Sequence, residues 1–402
     1  MSGYEVIEDS KVPIKHWTKN VPFEDYAKAQ LRDVANLPCV GRHLAIMPDV
    51  HAGRGGTIGS VIPTIKAVIP GAAGGDLGCG VMSVRTTLTS HDISDNGKEI
   101  EKAIYAAVPV MTWGEQKEHS RIPSVVSDTW APIEAQYRKL IEKHGRISSR
   151  TAHAQLGTLG RSNHFVSVNI DETDRIHIML HSGSRNLGNM IGTYFVQLAI
   201  KDMENANGAP LPANKELAYF NEGTEHFNDY VEAMLFAQEY ARLNRLVMMD
   251  NIVRWLKRDV KLNFTLDEEA INVHHNYCKV EHHFGEDMWI TRKGAVYAGE
   301  GVMALIPGCM GGKSYIVRGK GNPDSYSSCS HGAGRRLSRT QAKNEISAEQ
   351  HKKDMGSCIG KLSNDVRDES KSAYKDIDAV MAAQSDLVEV VHTLQEMVSI
   401  KG

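Results

Sequence analysis

Short strand-like runs that lead into glycine-rich loops recur along this chain, and they constrain its fold more than any other feature. The runs at 42–47, 67–70 and 175–180 each end in such a loop. Helix-like stretches are interspersed, but strands and helices do not alternate regularly. The pattern predicts an α+β fold built on a buried mixed sheet, with functional side chains placed on the loops at strand ends.

The loop at 71–80 carries the first candidate site. Asp76 and Cys79 are three residues apart, and the many glycines around them let both side chains reach one metal ion. The alternative is a buried, inert cysteine beside a turn-forming aspartate. The earlier loop at 48–56 carries Asp49 and His51, for which a turn with incidental polar side chains explains the pattern equally well.

Five potential metal ligands lie near a glycine-rich bend or a strand end. They are Asp76, Cys79, His164, His181 and His275. The neighbours His274 and His275 point to opposite faces of an extended segment, so only one of them serves a given site. One thiolate, one carboxylate and three imidazoles can hold one or two divalent ions, and the thiolate favours zinc or cobalt on affinity grounds.

The segment 327–335 sets His331 between small residues, ahead of a helix-like run at 336–343. Its glycines let the backbone approach a ligand, and the free N–H groups of a helix N-terminus suit a phosphate. Arg335 and Arg339 would share a helical face and aim at one anion. A tight turn explains the motif equally well in isolation, but a metal site elsewhere favours phosphoryl or nucleotidyl transfer with His331 as nucleophile.

A nucleotide P-loop is excluded at Gly311-Gly312-Lys313-Ser314. Pro307 stands where that motif requires its first glycine, and a strand is predicted where a P-loop begins a helix. Strands are expected at 288–292, 295–298, 302–306 and 314–318. Hydrophobic spacing predicts helices at 24–36, 130–143, 190–204, 225–260 and 376–396.

Composition narrows the class of protein. The six cysteines form no CxxC pair, which argues against a zinc ribbon or a disulfide framework. The first residues are polar, and no apolar run approaches the roughly 20 residues of a membrane helix, so we expect a cytoplasmic protein. The net charge is −3, so only local clusters of arginine and lysine can attract phosphates.

Ordered motifs along the whole chain carry a resemblance to a known family. The matching stretches are 47–51, 74–80, 160–165, 181–185, 275–276, 306–311, 330–335, 373–378 and 401–402. On these residues the chain resembles the RtcB family of GTP-dependent RNA ligases. The resemblance implies a single compact domain over 1–402, with mixed, largely antiparallel sheets around a central metal site and helices at the periphery.

The resemblance also implies a reaction used in RNA repair or tRNA splicing. His331 would attack the α-phosphate of GTP, and the resulting GMP would pass to an RNA 3′-phosphate. A 5′-hydroxyl end would then displace GMP and seal the strand. A 2′,3′-cyclic phosphate end would first be opened to the 3′-phosphate. Two manganese ions would be held among the five candidate ligands, with Cys79 as the bridge.

Further site residues follow from the resemblance. The implied nucleotide contacts are Asn163, Pro307, Gly308, Met310, Ser314, His331, Gly332, Ala333, Gly334, Tyr374 and Lys401. The implied contacts to RNA phosphates are Arg185, Lys293, Arg335 and Arg339. The expected partners are GTP and RNA, with no membrane, and the need for an activating protein is left open.

The chain departs from the family pattern at three positions. Ser167 stands where the family usually has a glutamate that accepts from guanine N1 and N2. A hydroxyl cannot accept a charged bidentate contact, so we expect weaker guanine selectivity or a water in its place. Gly75 replaces an apolar residue and Arg54 a lysine. These changes are typical of a specialised paralogue.

Two other functions compete with ligation. A dinuclear metal phosphoesterase would open cyclic phosphates with the metal ligands alone, without His331 or a nucleotide. An RNA-binding scaffold that has lost its chemistry would need neither, and the presence of every metal ligand and of His331 argues against it.

Overall fold

Two sheets organise the part of the chain that the computed structural model describes, which is residues 3–110, 119, 122–149, 151–205, 210–266 and 270–402. The strands are β1 (Glu5–Ile7), β2 (Ile14–His16), β3 (Leu44–His51), β4 (Ile58–Thr64), β5 (Ala67–Val68), β6 (Gly80–Arg85), β7 (Phe165–Ile170), β8 (Ile176–Ser182), β9 (Phe220–Asn221), β10 (Ile271–His274), β11 (Asn276–His283), β12 (Glu286–Lys293), β13 (Ala295–Tyr297), β14 (Met303–Ile306), β15 (Lys313–Gly319), β16 (Ser328–Ser330), β17 (Ile359–Gly360) and β18 (Val388–Lys401).

The helices lie between these strands without a regular alternation. They are α1 (Asp25–Ala35), α2 (Ser90–Ser94), α3 (Gly97–Ala107), α4 (Ser124–Lys143), α5 (Ala152–Gln155), α6 (Arg185–Asn205), α7 (Glu225–Arg258), α8 (Arg339–Glu345), α9 (Ala348–Met355) and α10 (Ile377–Ala383). None of these described helices combines the length and apolar character needed to cross a bilayer.

The first sheet has the order β1-β2-β3-β4-β12-β11, and the second has the order β10-β6-β8-β7-β18-β15-β14, with β17 added beside β18. Of the named strand pairs, β2–β3 and β17–β18 are parallel, and the others are antiparallel. Small ribbons join β13 to β16 and β5 to β9. The predicted α+β class with largely antiparallel sheets is therefore confirmed.

Helices α3 and α7 cover one face of the second sheet. Ile100 and Ile104 of α3 and Met248 and Ile252 of α7 pack in one buried cluster with apolar residues of β7, β8 and β18. This apolar layer supports one face of the second sheet, so the strand ends of that sheet are held in fixed positions.

The segment 376–396 was predicted to be a helix, and this prediction is wrong beyond α10. From Val388 the chain forms β18, which lies between β7 and β15 and hydrogen-bonds to both. The run is rich in β-branched residues, and pairing on both edges in the centre of a sheet outweighs its helix-like apolar spacing.

Other boundaries also differ from prediction, and helix α4 begins at Ser124 rather than at 130. Strand β3 continues through Pro48 to His51, because its register with β4 shifts after Ile46 and the proline needs no ladder hydrogen bond there. Helix α6 begins at Arg185 rather than near 190. Helix α8 begins at Arg339 because Ser338 forms a capping box with Gln341, which leaves Arg335 outside the helix. The exclusion of a P-loop is confirmed, since Lys313 opens β15.

Arg245 of α7 ties the core helix to the strand ends of the second sheet. Its side chain is fully buried, and burial lowers its pKa to about 10. Its guanidinium donates to the carbonyls of Gly78 and Ser182 at 3.0 Å each and to Asn272 Oδ1 at 2.7 Å. Buried hydrogen bonds from Arg245 therefore anchor the loop that carries Cys79 to α7.

We predict that Arg245→Lys lowers the free energy of unfolding by about 2–4 kcal/mol, since lysine leaves buried carbonyls without donors. Urea denaturation followed by circular dichroism measures this change. Arg254→Lys is the matched control on the same helix, because Arg254 is exposed and pairs with Asp250. Its effect should stay within about 0.5 kcal/mol. Equal effects of the two substitutions would contradict the role given to Arg245.

Candidate active site

The second sheet brings four of the five predicted metal ligands together at one end of its strands. Cys79 immediately precedes β6, His164 precedes β7 and His275 follows β10, while His181 lies within β8. Strands β10, β6, β8 and β7 are neighbours, so these four residues stand side by side across the sheet. The backbone N–H of His275 also donates to the Cys79 carbonyl at 2.8 Å.

The side chains of all five candidates meet. The Cys79 sulfur lies 3.4 Å from Nε2 of His164 and 3.2 Å from Nε2 of His181. His181 Nε2 is 2.8 Å from His275 Nε2, and His164 Nε2 is 3.0 Å from Asp76 Oδ2. The donors form two groups, each with its atoms within 4.8 Å of one another. The groups are Cys79, His181, His275 and Asp76, Cys79, His164.

The protonation states of these groups suit a divalent cation. Burial, reinforced by neighbouring imidazoles, holds the pKa of His181 and of His275 well below the usual value, so both rings are neutral. Burial would raise the pKa of Asp76, but the hydrogen bond from His164 lowers it to about 2. Burial raises the pKa of Cys79 well above its usual value. The donor set fits metal, which would displace the thiol proton on binding.

Asp76 is held by the loop after β8. The Ser184 backbone N–H and hydroxyl donate to Asp76 Oδ1 at 3.0 and 3.2 Å. A side chain at Gly183 would place its Cβ 2.2 Å from the same oxygen, so only glycine allows this approach. Gly183 therefore makes room for the Asp76 carboxylate, and the sequence alone does not reveal this role.

His331 stands beside this cluster and is oriented by Asp49. Its ring centroid is 4.8 Å from that of His275. Asp49 Oδ2 accepts from Nδ1 of His331 at 2.6 Å and from the backbone N–H groups of His331 and Gly332 at 3.1 and 3.2 Å. A carboxylate has no proton to give, so Nδ1 is the donor in this hydrogen bond, and the neutral form of the ring then carries its lone pair on Nε2. Gly334, at φ +73°, allows this loop to touch the Asp49 backbone.

A cavity of about 580 Å³ opens in front of His331. Its size fits a nucleotide, and its walls are mostly apolar with a few charged groups. Every residue predicted to contact the nucleotide lines it: Asn163, Pro307, Gly308, Met310, Ser314, His331, Gly332, Ala333, Gly334, Tyr374 and Lys401. The structure thus brings the whole predicted set together, and the contacts themselves stay predictions.

Arg335 and Arg339 line the same cavity, and although they do not share a helix, both form ion pairs with the Glu369 carboxylate. Arg339 Nη1 lies 2.6 Å and Arg335 Nη1 3.4 Å from Glu369 Oε1, while Lys401 Nζ lies 2.5 Å from Oε2. The Tyr374 hydroxyl donates to Oε2 at 2.9 Å. Burial would raise the pKa of Glu369, but these cations lower it to about 2.

The other two predicted RNA contacts are buried. Arg185 donates to the Thr158 hydroxyl at 3.0 Å and lies close to Asp76. Lys293 donates to the backbone carbonyls of Arg54 and Gly71, and burial lowers its pKa to about 8. Both support the loops around the cluster, and their contact with RNA stays a prediction.

The sequence did not distinguish two important carboxylates. Asp49 was equally compatible with a turn, and its link to His331 spans 282 residues along the chain. Glu369 lies in a polar run that looks like a solvated surface. Each is recognised only when distant segments are placed in contact, because no local spacing rule covers such pairs.

An imidazole paired with a buried carboxylate, a cluster of potential cation ligands and a nucleotide-sized cavity together suit nucleotidyl or phosphoryl transfer. The family model described as tRNA-splicing ligase RtcB matches residues 30–402. The RNA-splicing ligase RtcB of Escherichia coli strain K12 is 49% identical over 409 residues, covering 100% of both chains. The tRNA-splicing ligase RtcB of Nanoarchaeum equitans is 30% identical, covering 94% of this chain and 92% of its own. The chain belongs to the RtcB family of RNA-splicing ligases.

We predict that Cys79→Ala weakens Mn²⁺ binding more than His275→Ala, because Cys79 is shared by both ligand groups whereas His275 belongs to one. Equilibrium dialysis with metal analysis of the retained protein should find about one ion lost in His275→Ala and both weakened in Cys79→Ala. Cys278→Ala, at a buried cysteine in β11, is the control and should bind as wild type does. Undiminished Mn²⁺ binding by Cys79→Ala would contradict the shared site.

Proposed function

We propose that this ligase joins an RNA 3′-phosphate, or a 2′,3′-cyclic phosphate, to a 5′-hydroxyl end with GTP as the cosubstrate and His331 as the nucleophile. The observation that carries the proposal is the Asp49–His331 pair, because Asp49 engages Nδ1 and leaves Nε2 as the candidate nucleophile in a ring 4.8 Å from that of His275. Family membership and the cavity that receives all the predicted nucleotide contacts support it.

In the first step, His331 Nε2 attacks the α-phosphorus of GTP. A P–N bond forms, the bond from the α-phosphorus to the bridging oxygen breaks, and pyrophosphate leaves. Asp49 keeps the proton on Nδ1 and stabilises the positive charge that the ring gains on attack. The buried Asp49 carboxylate therefore both orients the ring and favours the phosphoramidate.

In the second step, an oxygen of the RNA 3′-phosphate attacks the phosphorus of the histidine-bound GMP. The P–N bond breaks, which restores His331 and leaves GMP joined to the RNA end. The oxygen of a 5′-hydroxyl then attacks the 3′-phosphorus, and GMP leaves as the phosphodiester forms. A cyclic phosphate end must first take up water, which opens it to the 3′-phosphate.

Two manganese ions would be held by the two ligand groups that share Cys79, where they would neutralise phosphate oxygens and orient the phosphorus for in-line attack. Arg335 and Arg339 are the proposed contacts to RNA phosphates at the cavity. Arg185 and Lys293, which are buried beside the loops that carry the candidate metal ligands, are also proposed to contact RNA phosphates. Tyr374 and Lys401 are proposed to contact the base.

We predict that wild type incubated with Mn²⁺ and α-³²P GTP forms an acid-labile covalent adduct that His331→Ala lacks. Asp49→Asn should slow its formation by about 10²–10⁴-fold, since an amide orients the wrong tautomer. Gel autoradiography after denaturation measures the adduct. His282→Ala, at an exposed histidine paired with Asp287, is the control and should react at the wild-type rate. Absence of an adduct in wild type would refute the proposal.

We also predict that an RNA with a 2′,3′-cyclic phosphate and a 5′-hydroxyl gives a longer product only when GTP is present. A metal phosphoesterase would instead yield the 3′-phosphate alone, with or without GTP. Denaturing gels separate the two products by length. A wild-type reaction that stops at the 3′-phosphate in the presence of Mn²⁺ and GTP would favour the phosphoesterase.

A further inference from the structure

A second buried carboxylate, Glu396, lines the same cavity as His331 and the Glu369 cluster. It lies on β18, and only 8% of the residue is exposed. Its Oε2 accepts from the Gly311 backbone N–H at 2.5 Å and faces the Cys358 sulfur at 3.7 Å. A carboxylate offers about four acceptor positions, so much of its accepting capacity is left for a ligand.

The two cavity carboxylates differ in their partners. Glu369 is saturated by Lys401, Arg335 and Arg339 and serves as an internal counter-charge. The hydrogen-bond donors to Glu396 are uncharged, namely the Gly311 backbone N–H, the Ser399 hydroxyl and the Cys358 thiol, and burial raises its pKa to about 7. A buried carboxylate with few donors is stabilised by any ligand that brings N–H groups to it. Glu396 is therefore the carboxylate that is poised to bind such a ligand.

Strand register places Glu396 beside Ser167. Ser167 of β7 pairs with Ser399 of β18, and Glu396 pairs with Asn169, two residues along β7. A register shift follows Glu396, and both Glu396 and Ser399 line the cavity. The Ser167 hydroxyl is itself buried and accepts from the Asn169 amide at 2.9 Å. Because paired residues of neighbouring strands point to the same face of a sheet, Ser167 shares the face of Ser399, which lines the cavity.

The chemistry of this wall matches one base. Guanine presents N1–H and N2–H₂ donors side by side, and a carboxylate accepts from both at once. Adenine presents an N1 acceptor to the same position, which a carboxylate repels. We propose that Glu396 is the residue that accepts from the guanine base of GTP in this chain, from β18 rather than from position 167. This inference rests on the proposed function.

The test is the nucleotide selectivity of adduct formation. Glu396→Gln keeps an oxygen for the Gly311 N–H but presents an amide where the base needs a second acceptor. We expect kcat/KM for GTP to fall by about 10–100-fold, mainly through KM. Inosine triphosphate lacks the 2-amino group, so the wild-type preference for GTP over it should shrink to about twofold in the variant. Glu389→Gln, at an exposed position of β18, is the matched control and should leave both values unchanged.

A second variant separates base recognition from support of the fold. Ser167→Glu combined with Glu396→Gln returns a carboxylate to the same face of the sheet and should restore the preference for GTP over inosine triphosphate. An equal loss of reaction with every nucleotide, without restoration in the double variant, would assign Glu396 a structural role and overturn the inference.

The outcomes also separate this inference from the function on which it rests. A GTP-selective adduct in wild type that is unchanged in Glu396→Gln would overturn the inference and leave the ligase proposal standing. Absence of an adduct with any nucleotide in wild type would remove the proposed function, and the inference with it.

Discussion

The structure depends on bringing five potential metal ligands into one buried space where hydrogen bonds among them do not satisfy every donor atom. Two imidazole nitrogens 2.8 Å apart compete for a proton, and a thiol beside a carboxylate is held protonated. Such a cluster costs free energy in the absence of a cation, because each lone pair is desolvated without a partner of opposite charge. The surrounding fold must therefore be rigid, and the second sheet with its covering helices supplies that rigidity.

The candidate site joins two parts of the structure, the cluster of potential metal ligands and the Asp49–His331 pair. The metal ligands stand at the edge of the second sheet, whereas Asp49 belongs to β3 of the first, and His331 follows β16. The reaction site therefore exists only when both sheets are in place. Buried Arg245 fixes the loop at Gly78 by a charged hydrogen bond. Glu369 fixes Lys401 of the C-terminal strand by an ion pair. The same contacts therefore support both the fold and the geometry of the candidate site.

Much of the site could be predicted from the sequence, because each candidate metal ligand stands near a glycine-rich bend or a strand end, and the motifs occur in a recognisable order. The class of fold and the approximate boundaries of α1, α7 and β14 also followed from local patterns. The C-terminal strand did not, since its place between β7 and β15 decides its conformation. Asp49, Glu369 and Glu396 act through partners far along the chain, which no local spacing reveals.

The central claim is that a guanylate is captured by His331 next to a cation bound at Cys79. Crystals grown with Mn²⁺ and GTP test it most directly, with anomalous scattering recorded at the manganese edge. The account predicts manganese peaks on both sides of the Cys79 sulfur and continuous density from His331 Nε2 to a phosphorus atom. Manganese absent from Cys79, or a nucleotide phosphate bound away from His331, would contradict it.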